Sequence, residues 1–150
     1  MAAAATNEHA GRTVVVTQDI RAVHNRTIVA AVAAGGVAGA AARYGVALLI
    51  GAPVWPTLAV NIAGSFALGI VVAVTAHERS PHPVIRPLVA TGFLGAFTTY
   101  SAFALETVTM LRDGRPWLAV GFLGLSIGGG LAAVWAGMTI TRTVLPEGRR

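Results

Sequence analysis

PTLAVNIAGSFALGIVVAVTA, residues 56 to 76, contains no charged side chain and is as long as a helix that crosses hydrocarbon must be. A bilayer core about 30 Å thick needs roughly 20 residues at about 1.5 Å of rise each. Working outward, three more apolar segments meet that requirement, at about 27–50, 88–111 and 117–140. Between them stand a Gly51-Ala52-Pro53 break, the polar stretch HERSPHPVIRP from His77 to Pro87, and the turn RDGRP from Arg112 to Pro116. The expected fold is an all-α membrane protein with four transmembrane helices. Residues 27–141 form its membrane domain, 1–26 a cytoplasmic, disordered N-terminal tail, and 142–150 a cytoplasmic C-terminal tail.

Composition supports the same class. Of 150 residues, 55% are hydrophobic and only 11% charged, too few charges to clothe a soluble domain of this size. The 18 glycines fall largely inside the apolar runs, where they let helices approach closely in lipid. Every one of the 11 basic residues is arginine, and these sit at the margins of apolar runs rather than in a stripe with aromatics, which argues against a nucleic-acid surface. With no cysteine, thiolate metal sites and cysteine nucleophiles are excluded.

Arginine placement in short loops sets orientation. With both termini cytoplasmic, that side holds Arg12, Arg21, Arg26, Arg79, Arg86, Arg142, Arg149 and Arg150, and the other side only Arg112 and Arg115. Trp55 and Trp117 then fall at the opposite interface, where amphipathic rings are enriched. Four helices offer little interior for Arg43, Asn61, Ser65, Thr98, Thr99, Ser101 and Glu106, so the sequence predicts at least a dimer.

The third segment, TGFLGAFTTYSAF at 91–103, places glycines and threonines of low helix propensity at mid-span. Two readings stand there: a packing kink, or a local break whose freed carbonyls face protein, water or a hard cation. Tyr100 and Phe103 share a helical face, as do Phe93 and Phe97. Such pairs serve packing, or offer electropositive ring edges to an anion. Asn61 and Ser65, four apart in the second segment, either glue helices together or supply amide and hydroxyl donors that replace an anion's water. Arg43 is the lone base within a span, suited to tying down a helix end or to drawing anions. Neither it nor Glu106 has catalytic companions, and the four histidines lack metal-ligand spacing.

Three stretches, GGVAGAAARYG (35–45), TLAVNIAGSFALG (57–69) and GFLGAFTTYSAF (92–103), resemble the Fluc/CrcB family of fluoride channels. The resemblance spans about residues 34–137. It implies an antiparallel, dual-topology-type dimer in the bacterial inner membrane, with a break in the third helix, passive fluoride efflux that limits toxicity, and no enzymatic activity. It places Asn61, Tyr100, Phe103 and Ser126 along the fluoride pathway, with Tyr100 where the family usually has phenylalanine. Arg43, Ser65 and Thr99 become pore or vestibule support. The backbone carbonyls at Gly95 and Thr98 become ligands of a structural sodium ion that is not transported. The expected dimer is with a second copy or with an oppositely oriented paralogue, and the arginine asymmetry, which favours a single orientation, puts the paralogue first. Two other classes remain in view: a small multidrug antiporter, which wants a carboxylate in the first helix where this chain has Arg43, and a non-transporting membrane scaffold.

Overall fold

The structure, a computed structural model, describes the backbone of residues 2–77 and 83–145 and the side chains of residues 25–76 and 83–145. Arg79, Arg149 and Arg150, part of the orientation reading, lie outside the described residues, as do the side chains of Arg12 and Arg21. Among the described residues four helices are long and apolar enough to cross a membrane: Asn25–Ile50, Trp55–Ala76, Pro87–Arg112 and Pro116–Val144.

Local sequence explains where they begin and end. Proline stands in the first turn of the second, third and fourth spans (Pro56, Pro87, Pro116), where its missing N–H is not needed. Gly51 ends the first helix at φ +64° and Gly114 ends the third at φ +70°, left-handed conformations that a side chain would strain. The first helix runs from Ala2 to Ile50, so the backbone of the segment expected to be a tail is helical and continuous with the span. Its alanine-rich start and the lack of any proline before Pro53 leave little to stop it.

The third span is not uniform. Pro87–Leu94 has π-helical geometry, Gly95–Phe97 forms one α-helical turn, and a regular helix resumes over Tyr100–Arg112. Between the turn and that helix the backbone is extended, at φ −77°, ψ 159° for Thr98 and φ −146°, ψ 119° for Thr99.

Two backbone-to-backbone contacts organise the bundle. A Cβ added to Gly35 would run into the Leu88 carbonyl and one on Gly39 into the Phe93 carbonyl, while one on Gly92 would lie 2.6 Å from the Val32 carbonyl oxygen. The first helix is thereby pressed onto the π-helical half of the third. A Cβ on Gly69 would collide with the Val134 carbonyl and one on Gly137 with the Phe66 carbonyl, so the second and fourth helices meet in the same way. Small residues permit this close approach, which in lipid replaces the hydrophobic drive. Among the described residues the buried apolar set is correspondingly slim: Ala31, Leu58, Val60, Ala73, Leu94, Ala119 and Phe122.

The Gly51–Val54 connection and the turn at Asp113–Arg115 lie at one end of the bundle, since Pro53, Val54, Asp113 and Arg115 border the same opening of about 720 Å³. Trp55 and Trp117 stand there too, both largely exposed, as interfacial tryptophans are.

Candidate functional site

The extended residues at mid-span create a hydrogen-bonding problem that the neighbouring helices solve. In an unbroken helix Gly95, Ala96 and Thr98 carbonyls would accept from the Thr99, Tyr100 and Ala102 amides. Here the Thr99 N–H instead donates to Asn61 Oδ1 at 2.8 Å, and Asn61 Nδ2 donates back to the Thr99 carbonyl at 3.1 Å. One side-chain amide of the second helix thus pairs with both polar groups of the buried Thr99 peptide unit. Thr99 Oγ1 accepts from the Ala102 N–H at 3.2 Å and so caps the helix that follows. On the other side, Thr98 Oγ1 and the Thr98 N–H both donate to the Leu94 carbonyl, at 2.9 and 3.0 Å. The outcome leaves the Gly95 and Thr98 carbonyls without the amides that a regular helix would give them.

Two clefts of about 250 Å³ each flank this point. The first is lined by Asn61, Thr98, Thr99, Tyr100, Phe103, Ser126 and Ile127. The second is lined by Asn61, Gly64, Ser65, Leu68, Ala90, Leu94, Gly95 and Thr98. Asn61 and Thr98 belong to both. Of the residues singled out from the sequence, Asn61, Thr98, Thr99, Tyr100, Phe103 and Ser126 therefore meet around one cleft, Ser65 and Gly95 around the other. Arg43 borders neither; its Nε donates to the Ala96 carbonyl at 3.1 Å. Gly64 makes room for the arrangement, since a Cβ there would collide with the Thr98 methyl group.

The first cleft mixes donors and ring edges. Ser126 Oγ is buried and has no hydrogen-bond partner among the described residues. The Tyr100 and Phe103 rings are 5.9 Å apart and tilted by 44°. Phe103 also touches Phe122, with centroids 5.5 Å apart at 37°. Phe122 lines the large opening at the loop end, whereas Phe103 lines the cleft. Phe93 and Phe97 stack at 5.7 Å and border neither cleft. Thr57 Oγ1 donates to Glu106 Oε1 at 2.8 Å, and among the described residues Glu106 Oε2 has no partner.

Phe122 and Thr57 are the site neighbours that sequence reading passed over. The signal for Phe122 existed, since it lies one helical turn from Ser126; Thr57 carried none, because its partner is 49 residues away. Among the described residues no three His, Cys, Asp or Glu gather into a metal cage, so a cation here would meet carbonyl and hydroxyl oxygens.

The profile described as CrcB-like protein, Camphor Resistance, matches residues 30–138, the whole of this arrangement. The chain belongs to the CrcB family. Within it, the chain is 48% identical over 115 residues to a protein of Paracoccus denitrificans named fluoride-specific ion channel FluC, covering 74% of this chain and 91% of that one. It is 38% identical over 121 residues to a fluoride-specific ion channel FluC of Pseudomonas putida, covering 77% and 97%. A third so named, from Paracidovorax citrulli, is 48% identical over 103 residues, covering 67% of this chain and 82% of its own. Four spans and CrcB membership together make this a multi-pass membrane protein of bacteria.

Proposed function

We propose that this CrcB protein is a fluoride-specific channel subunit that lets the ion leave the cytoplasm passively and so limits its toxicity. It is not an enzyme; the relatives named above are ion channels. The observation that supports the reading on this chain is the first cleft, which sets unsatisfied donors beside aromatic edges at mid-span. Fluoride is small and strongly hydrated, so its passage requires close donors to replace its water. Asn61 keeps one amide N–H beyond the one it gives Thr99, and the Ser126 hydroxyl has no partner among the described residues. Tyr100 and Phe103 add polarised ring edges without a fixed cation that would hold the anion too tightly. Chloride, being larger, fits such contacts poorly.

The functional unit of this proposal is an antiparallel dimer. Tyr100 is 81% exposed in the single chain although it lies at mid-span beside a polar cleft, a position that in lipid calls for cover by another subunit. The interruption at Thr98–Thr99 has a role at that dimer centre. The Gly95 and Thr98 carbonyls, deprived of helix amides, are the oxygens a hard cation takes, and they fit a structural sodium ion that two subunits would hold between them. Eight arginines against two favour one insertion direction, so the partner is an oppositely oriented paralogue. Topology reporters that find this chain equally in both orientations would refute that pairing.

The function is tested with liposomes containing the purified protein and its partner, loaded with fluoride and chloride. Fluoride is expected to leave while chloride stays, with Phe103→Ile severely slowed. Undiminished flux through the Phe103→Ile variant would remove that ring from the pathway.

A further inference from the structure

We infer that Arg43 serves the channel as a positioning residue through its Nε donor and not through its charge. The inference rests on the fluoride-channel reading only for its flux readout. Because the backbone is extended at Thr98 and Thr99, the Ala96 carbonyl loses the Tyr100 amide that a continuous helix would supply. Arg43 Nε, from the first helix and 53 residues away, donates to that carbonyl at 3.1 Å. The half-buried guanidinium therefore ends the first half of the interrupted span, as Asn61 holds the start of the second. Of the carbonyls freed by the interruption, Ala96 is occupied while Gly95 and Thr98 stay open. Among the described residues no carboxylate pairs with Arg43, and its side chain borders neither 250 Å³ cleft, so it does not stand where a conducted anion would meet it.

Side-chain chemistry separates donor from charge. Glutamine carries its amide nitrogen on Cδ, the atom to which arginine's Nε is bonded, so Arg43→Gln keeps a donor at the same place and removes the charge. Lysine has a methylene there and its ammonium one bond further out, so Arg43→Lys keeps the charge and moves the donor. Arg43→Met keeps only the apolar stem.

The experiment measures hydrogen exchange of residues 95–103 and fluoride efflux for the wild type and all three variants in the same reconstituted complex. Loss of one buried hydrogen bond is expected to speed exchange there about tenfold in Arg43→Lys and Arg43→Met. Arg43→Gln is expected to stay within about twofold of wild type on that scale. Efflux should follow the same order, with glutamine ahead of lysine. Lysine matching wild type while glutamine resembles methionine would overturn the inference, as would unchanged exchange in all three or a glutamine variant that alone fails to fold. A wild type that passes no fluoride would sink the channel reading, and the exchange ranking would still decide the role of Arg43.

Discussion

Replacing Asn61 by leucine keeps the side chain's bulk and removes both hydrogen bonds to the Thr99 backbone, the 2.8 Å bond that its N–H donates and the 3.1 Å bond that its carbonyl accepts. Thr99 is 9% exposed, so water does not readily replace either partner. The Thr99 N–H is left buried and unsatisfied, at a cost of about 1–3 kcal/mol, while the Thr99 carbonyl, as that of the N-cap residue, still accepts the first amide of the following helix. For a chain of this size roughly 1 kcal/mol corresponds to about 2–4 °C in melting temperature, so a fall of about 2–12 °C is expected. Asn61→Asp gives a sharper form of the same test. Its carboxylate still accepts from the Thr99 N–H but sets an oxyanion against the Thr99 carbonyl. Protonation restores a donor in nearly the shape of the amide. Stability of the Asn61→Asp variant is therefore expected near wild type at low pH and lost as pH rises through the titration of that carboxyl, the sign for a group whose charged form the fold disfavours. Thermal unfolding of the detergent-solubilised complex across pH reads both effects. If Asn61→Leu melts with the wild type, or Asn61→Asp is stable at high pH and weakened at low pH, the paired role of Asn61 is wrong.

Ser126→Ala removes a buried hydroxyl that has no partner among the described residues, so its melting temperature should equal or exceed that of wild type while fluoride efflux falls. Unchanged efflux would take Ser126 out of the pathway. Gly137→Val drives a side chain into the Phe66 carbonyl at the contact of the second and fourth helices, so folded yield and melting temperature should drop by the equivalent of several kcal/mol, on the order of an overpacked core; a stable variant would show that this backbone contact is looser than described. Thr57→Val strips Glu106 Oε1 of its hydroxyl donor and should destabilise by about 1–3 kcal/mol, read as a lower melting temperature.

Much of this molecule is legible in its sequence because lipid imposes a blunt rule: about 20 apolar residues for each crossing. The uncharged run 56–76 and its three counterparts follow from hydropathy alone, and all four are helices long and apolar enough to span. Of the residues that meet around the first cleft, Asn61, Thr98 and Thr99 stood out for a similar reason, being polar where polarity is expensive, whereas Ser126 came only with the family resemblance. Pairings across the bundle are less legible. Asn61 with Thr99 spans 38 residues and Arg43 with Ala96 spans 53, and no local periodicity records such partners. The π-helical geometry of Pro87–Leu94 was equally hidden, because it accompanies a backbone approach between Gly92 and Val32 that only the assembled bundle contains.

The central claim is best tested by the reversal potential of the reconstituted complex, with a fluoride gradient across the membrane and chloride and pH equal on both sides. A passive fluoride channel is expected to reverse at the fluoride equilibrium potential, and to stay there when a pH gradient is added. Reversal at the chloride or proton equilibrium potential, or no current from folded complex, would contradict the account.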